Sequence, residues 1–271
     1  VTESAQSPLA EELGSNPNRP GPLLSDLTSS LGREGELLIS AAERAGLDAE
    51  VPTCPGWRVR DLLQHTGMTH LWAAAHISEQ RQEALGPHET EALASPSADD
   101  DSLLAWYRAA NREVVRALEQ SSPQLACWTF LPAPSPLVFW GRRQAHETEI
   151  HRVDAESASD SITDVPTVLA VDGIDEMLFG FAARPRRIAV DQPRRLCLAA
   201  RDTQAAWTVE IGPAGVKASR TSGTECDCRV EDTASNVFLL LWNRRSGDGP
   251  EIRGDRDVIE LWRRSIRVRW S

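Results

Sequence analysis

The segment His146-Glu147-Thr148-Glu149-Ile150-His151 concentrates metal-binding side chains in six residues, and helix geometry decides which of them can act together. It is not HExxH, because Ile150 stands where the second histidine would have to be. Five residues turn an α-helix by about 500°, so His146 and His151 point about 140° apart and cannot easily share an ion. Glu147 and His151 are four residues apart, hence about 40° round the axis and one turn along, and they can. One Glu–His pair is also what a simple surface contact looks like, so a third ligand must come from another helix. Among the six histidines, His65 is the best placed. It shares a helix face with Asp61, Thr69, Trp72 and His76. His76 lies about 16 Å further along the axis, and His70 points away from that face.

His65, Glu147 and His151 would make a tripod with one open position, the ligand count of catalytic zinc sites, although other divalent metals accept the same donors. Asp61, one turn before His65, can fix that ring's tautomer, or can simply be a helix N-terminal charge. Asp154, three residues past His151, can orient that ring, or can sit on a solvated face.

These residues need helices to hold them. Apolar periodicity predicts helices over 23–47, 58–80, 101–119 and 136–158, with a polar loop (GPHETEALASPSADDD) after the second. Leu27, Leu31, Leu37, Leu38 and Ala41 return to one side of the first, while Gly32 and Gly35 weaken its middle. VPTCPGW is a turn. Beyond residue 163 the composition shifts. A helix (TVLAVDGIDEMLFGFAA) is followed by RRLCLAAR, AAWTVEIG, GVKASR and ECDCRVE, which read as a small antiparallel sheet. SNVFLLLWNRR reads as a buried helix and RDVIELWRRSIRV as another. The expected organisation is a tail over 1–22, a helical bundle over 23–163 and a smaller α/β domain over 164–271.

Composition narrows the partners. The 271 residues are 41% hydrophobic and 25% charged, as in globular proteins, and no apolar run is long enough to span a membrane. A net charge of −11 leaves no basic stripe to track phosphates, so nucleic acid is not an expected partner. The N-terminus has neither a basic nor an apolar segment of a signal peptide, and a cytoplasmic setting is the default. Lys217 is the only lysine beside 28 arginines, a bias of GC-rich coding rather than of mechanism. Five cysteines argue against a disulfide framework, and Cys226-Asp227-Cys228 lacks the spacing of a redox or zinc pair. On a strand both would face one side as small buried residues.

VPTCPGWRVRDLLQH resembles the signature P-x-C-P-G-W-T-V-x-D-L-L-x-H of the actinobacterial mycothiol-dependent maleylpyruvate isomerases, a family of DinB-like metal-binding bundles. HETEIHRVDAE resembles the family's second signature, and the LLLW block with its following Asn243 and Arg244 the third. The resemblance runs from about residue 23 to 270. It implies an α+β protein: a DinB-like four-helix bundle, then a smaller, sterol-carrier-like α/β domain. It further implies zinc on His65, Glu147 and His151, with mycothiol as thiolate in the open position. In such isomerases the thiolate adds to a cis double bond of an unsaturated keto-diacid, and rotation and expulsion leave the trans alkene. Arg244 matches the basic residue that faces the site from the C-terminal domain, where its fork suits a carboxylate. The alternative for Arg244 and Arg245 is a charge pair at a helix C-terminus. Arg58 replaces the family's Thr or Ser helix cap, worth about 1 kcal/mol, and Asn243 stands where Gly is common.

The motifs point to a thiol-dependent enzyme acting on a small electrophile, either by isomerisation or by S-transfer of the thiol. A non-catalytic metal-binding or sensing module of the same fold is the alternative, with Glu149 or Cys54 as a blocking fourth ligand. A metal hydrolase using Glu149 as base is weaker, since Glu149 lies about 160° round the helix from His151.

Overall fold

The computed structural model describes residues 21–94, 99–245 and 249–268, so nearly all of the expected tail lies outside the described residues. The chain divides between Thr163 and Asp164 into two compact units.

The first unit contains α1 (Leu24–Ala45), α2 (Val59–Ser78), a short α3 (Pro87–Glu91), α4 (Asp100–Gln120) and α5 (Pro136–Ser157). α1 packs on α5 and α4, and α2 on α4 and α5, which closes a four-helix bundle. Buried Leu27, Leu31, Leu38 and Ala41 form the apolar stripe of α1, whereas Leu37 turns outward, 41% exposed. Gly35 is a point of close approach: a β-carbon there would meet the Asn111 amide at 2.6 Å. The space lets Asn111 reach across from α4 to donate to the Leu31 carbonyl. α3 interrupts the expected loop, started by Pro87 and by the Glu89 carboxylate accepting from the Gly86 N–H.

α5 differs from the other helices. From Gln144 to Glu156 every residue is buried, and a helix covered all round shows no amphipathic stripe. Its charged groups must therefore find partners inside the protein.

The second unit opens with α6 (Thr167–Asp175), which widens into a π-helical turn over Glu176–Phe181. Then come β1 (Arg194–Ala200), β2 (Ala206–Gly212), β3 (Gly215–Ser219), β4 (Cys228–Asp232), α7 (Ala234–Leu241), β5 (Glu251–Gly254) and α8 (Asp257–Ser265). The sheet order is β3-β2-β1-β4-β5. It is mixed, not antiparallel: β4 pairs parallel to β1, with Leu196 opposite Cys228. After β3 the chain crosses back to the far side of β1, and hairpin patterning in the sequence does not register such a crossover. β4 starts at Cys228, so Cys226 lies outside the strand. Cys228 is buried and Cys226 half-buried.

α7 is buried at every residue but the half-buried Asn236, and its last five residues are all apolar. Two residues past its end stands Asn243, whose φ of 60° is the left-handed conformation that glycine adopts most easily and asparagine tolerates. That accounts for the glycine common at this position in the family resemblance.

Candidate metal centre

Three elements converge on one spot of the bundle. α2 brings His65, α5 brings Glu147 and His151, and the VPTCPGW turn lies against them. One ligand atom from each of His65, Glu147 and His151 fits within 4.8 Å of the others, the one such group among the described residues. The Nε2 atoms of His65 and His151 stand 3.2 and 3.1 Å from the same Glu147 oxygen, Oε1. Four-coordinate zinc, with bonds of 2.0–2.1 Å, separates its ligands by about 3.3 Å. The donor set and its spacing therefore suit one small dication.

Proton placement agrees. His151 Nδ1 donates to Asp154 Oδ2 at 2.9 Å, which points Nε2 at Glu147. In a neutral ring that Nε2 is an acceptor facing an acceptor, so a cation must lie between them. Without a metal the cation is a proton. Burial opposes charge on His151, but the Glu147 carboxylate and the bond to Asp154 outweigh it and raise its pKa to about 9. Burial likewise works against Glu147 ionisation, yet His151, His65 and Arg143 hold its carboxyl well below the usual range. Metal uptake near neutral pH would displace the proton on His151.

Asp154 is buried, and beyond His151 it accepts from Thr53 Oγ1 at 2.6 Å and Cys54 Sγ at 3.3 Å. The turn thus braces the carboxylate that orients the ligand. Trp57, from the same turn, meets the His65 ring at 5.1 Å and lies nearly parallel to His151, with centroids 6.4 Å apart. Neither Trp57 nor Arg143, which donates to Glu147 Oε2 at 2.9 Å, was singled out by spacing. The i,i+4 step from Arg143 to Glu147 was the available signal. His65 keeps 14% of its side chain exposed, against 2% for Glu147 and 1% for His151, so the site opens on the α2 side.

The remaining candidates lie elsewhere. Asp61 accepts from the Arg58 backbone N–H at 2.8 Å, the helix-start role, and partly replaces the missing side-chain cap. Glu149 is fully buried, accepting from His146 and Ser30, and Cys54 points to Asp154; neither joins the ligand group. His76 accepts the Leu85 N–H within an aromatic cluster of Trp72, Trp128 and Trp140. In the second unit, the Arg244 N–H donates to the Leu239 carbonyl and its Nη1 to the Trp242 carbonyl at 2.9 Å, while Arg245 lies 4.0 Å from Asp164.

His70 is buried between Gln144, to which its Nδ1 donates at 2.8 Å, and Asn111. Burial lowers its pKa from 6.5 to about 4. Above pH 6.5 the ring is neutral in both folded and unfolded chains. As pH falls from 6.5 towards 4 only the unfolded chain takes the proton, so about 3 kcal/mol of stability is lost across that window. Urea unfolding of His70→Gln at several pH values is expected to lack this part of the slope. An unchanged slope would contradict the assignment.

A helical bundle carrying a candidate two-histidine, one-carboxylate site, followed by a mixed α/β unit, defines the class: a bundle protein of two compact units with one candidate metal centre among the described residues. Residues 29–156 match the family model of the mycothiol maleylpyruvate isomerase N-terminal domain, and residues 168–261 that of the MDMPI C-terminal domain. The chain belongs to the mycothiol-dependent maleylpyruvate isomerase family. Similar solved structures include a crystal structure of the mycothiol-dependent maleylpyruvate isomerase, at 11% identity, and one of a histidine-to-alanine mutant of it, at 10%. Each has a TM-score of 0.60 and covers 85% of this chain and 93% of its own, which establishes a shared fold. No curated protein matches the sequence.

Proposed function

We propose that the protein is a metal- and mycothiol-dependent enzyme acting on a small electrophile, as an isomerase of a maleylpyruvate-like cis-unsaturated acid or as a thiol S-transferase. The observation that carries the reading is the convergence of His65 and His151 on one Glu147 oxygen, in a chain of a mycothiol-dependent family. Zinc suits two imidazoles and one carboxylate. When bound, it would supply the charge that keeps a thiol ionised at neutral pH, and the thiol would supply the carbon-attacking sulfur for either reaction.

The protein's own groups prepare that position. Asp154 fixes the His151 tautomer, Trp57 shields the two rings, and the half-open edge of His65 leaves one side for a ligand. Charge supports an anion there. Glu147 and Asp154 carry −2, Arg143 +1 and a dication +2, which leaves +1 for a thiolate to neutralise. The engagement of Glu149 and Cys54 elsewhere argues against a blocked site, and that of Glu149 against a hydrolase base. Arg244 is proposed as the cation that meets a substrate carboxylate. A cytoplasmic setting fits five cysteines that form no disulfide among the described residues.

Turnover decides the matter. Zinc-loaded protein should convert maleylpyruvate, or a member of an electrophile panel, only when mycothiol is present. Recovery of the thiol unchanged identifies an isomerase, and its consumption a transferase. Arg244→Ala should lower turnover with metal content intact. One equivalent of bound zinc with no thiol-dependent turnover would favour the non-catalytic sensing module.

A further inference from the structure

Glu147 has two oxygens, and the ligand triangle uses one of them. Both imidazoles face Oε1. Oε2 is turned to Arg143, whose Nη2 donates to it at 2.9 Å. Both side chains are about 2% exposed, so this charge-assisted bond has little competition from water. Arg143 sits one turn before Glu147 on the same helix, and its reach is set by α5 itself.

A carboxylate is free to bind an ion through one oxygen or through both. The second mode fills an extra coordination position, in this site the one a fourth ligand needs. We infer that Arg143 is a positioning residue: by holding Oε2 it keeps Glu147 a one-oxygen ligand, so that the metal stays four-coordinate with one position open. Asp154 does the corresponding work on His151. The two buried ligands therefore have outer partners of opposite charge, one adding electron density to a ring and the other tying down half of a carboxylate. Four-coordination favours zinc over ions that prefer six oxygen-rich ligands. This inference rests on the metal reading above.

The test compares wild type, Arg143→Met and Arg143→Lys loaded with cobalt(II), whose visible absorption is strong in four-coordinate sites and weak at higher coordination. Zinc affinity is measured alongside by competition with a chromophoric chelator. Wild type should show the strong spectrum. Arg143→Met, similar in bulk but with no donor, should lose most of that intensity as Glu147 swings to two-oxygen binding. Its zinc affinity should fall roughly 10- to 100-fold. Arg143→Lys, which keeps a charged donor, should restore the spectrum. A folded Arg143→Met protein with unchanged spectrum and affinity would overturn the inference and leave the metal reading standing. Failure of wild type to take up either ion would overturn both. Should Arg143→Met not fold, X-ray absorption of the zinc-loaded wild type decides between one-oxygen carboxylate binding, as inferred, and two-oxygen binding, which excludes it.

Discussion

His151→Ala is expected to empty the site while leaving the fold in place. It removes one of the three proposed ligands together with the acceptor-to-acceptor contact that calls for a cation. Loss of an outer partner alone typically costs roughly 10- to 100-fold in metal affinity, so loss of a ligand should cost more. Zinc retained after dialysis should fall from about one equivalent to near none, and thiol-dependent turnover should disappear with it. Helical circular dichroism should be preserved, because Asp154 keeps Thr53 and Cys54 as donors. Full zinc retention by this variant would place the metal elsewhere.

The second large effect concerns the buried charges behind the site. Arg152 lies on α5 at 1% exposure, donating to Glu34 of α1 at 3.0 Å, to Glu156 at 2.7 Å and to the Thr163 carbonyl at 2.9 Å. It thereby ties α5 to α1 and to the last residues of the first unit. Arg152→Met would fill similar space but leave the buried Glu34 and Glu156 carboxylates without their shared cation, Glu34 with Arg33 and Glu156 with the Thr163 donors as remaining partners. Breaking such a network costs about 3–5 kcal/mol, which for a unit of this size lowers the melting temperature by roughly 10 °C. Arg152→Lys should recover part of the loss, since one ammonium cannot span the same acceptors. A change of less than about 1 kcal/mol would mean that the charges are solvated and the network adds little.

The candidate trio was legible because helix periodicity is strict: Glu147 and His151 stand one turn apart, and His65, on a face shared with Asp61, Thr69, Trp72 and His76, was the best-placed histidine of another helix. Asp154 was legible for the same reason, as an i+3 neighbour. Asp61 shows the limit: the same spacing logic offered it His65, but the first turn of α2 needed an acceptor for the Arg58 N–H. Thr53, Cys54 and Trp57 reach the site only because the turn folds back over the end of α5, a tertiary event that local pattern does not encode. The sequence located α5 as a helix but left its charged residues, Asp154 among them, open to a solvated-face reading, because burial on every side depends on the neighbouring helices. In the second unit, apolar or alternating runs located the strands β1 to β4, while β5 is too short and polar to stand out. The parallel pairing of β1 with β4 depends on a crossover that no local signal announces.

The central claim is that His65, Glu147 and His151 hold one metal whose open position takes a thiolate. Titrating cobalt-loaded wild-type protein with mycothiol tests it most directly, because a thiolate bound to cobalt gives a sulfur-to-metal charge-transfer band. The expected result is a band that saturates at one thiol per metal and is absent from His151→Ala. Cobalt uptake with no such band at saturating mycothiol would contradict thiol ligation, and no cobalt uptake would contradict the site itself.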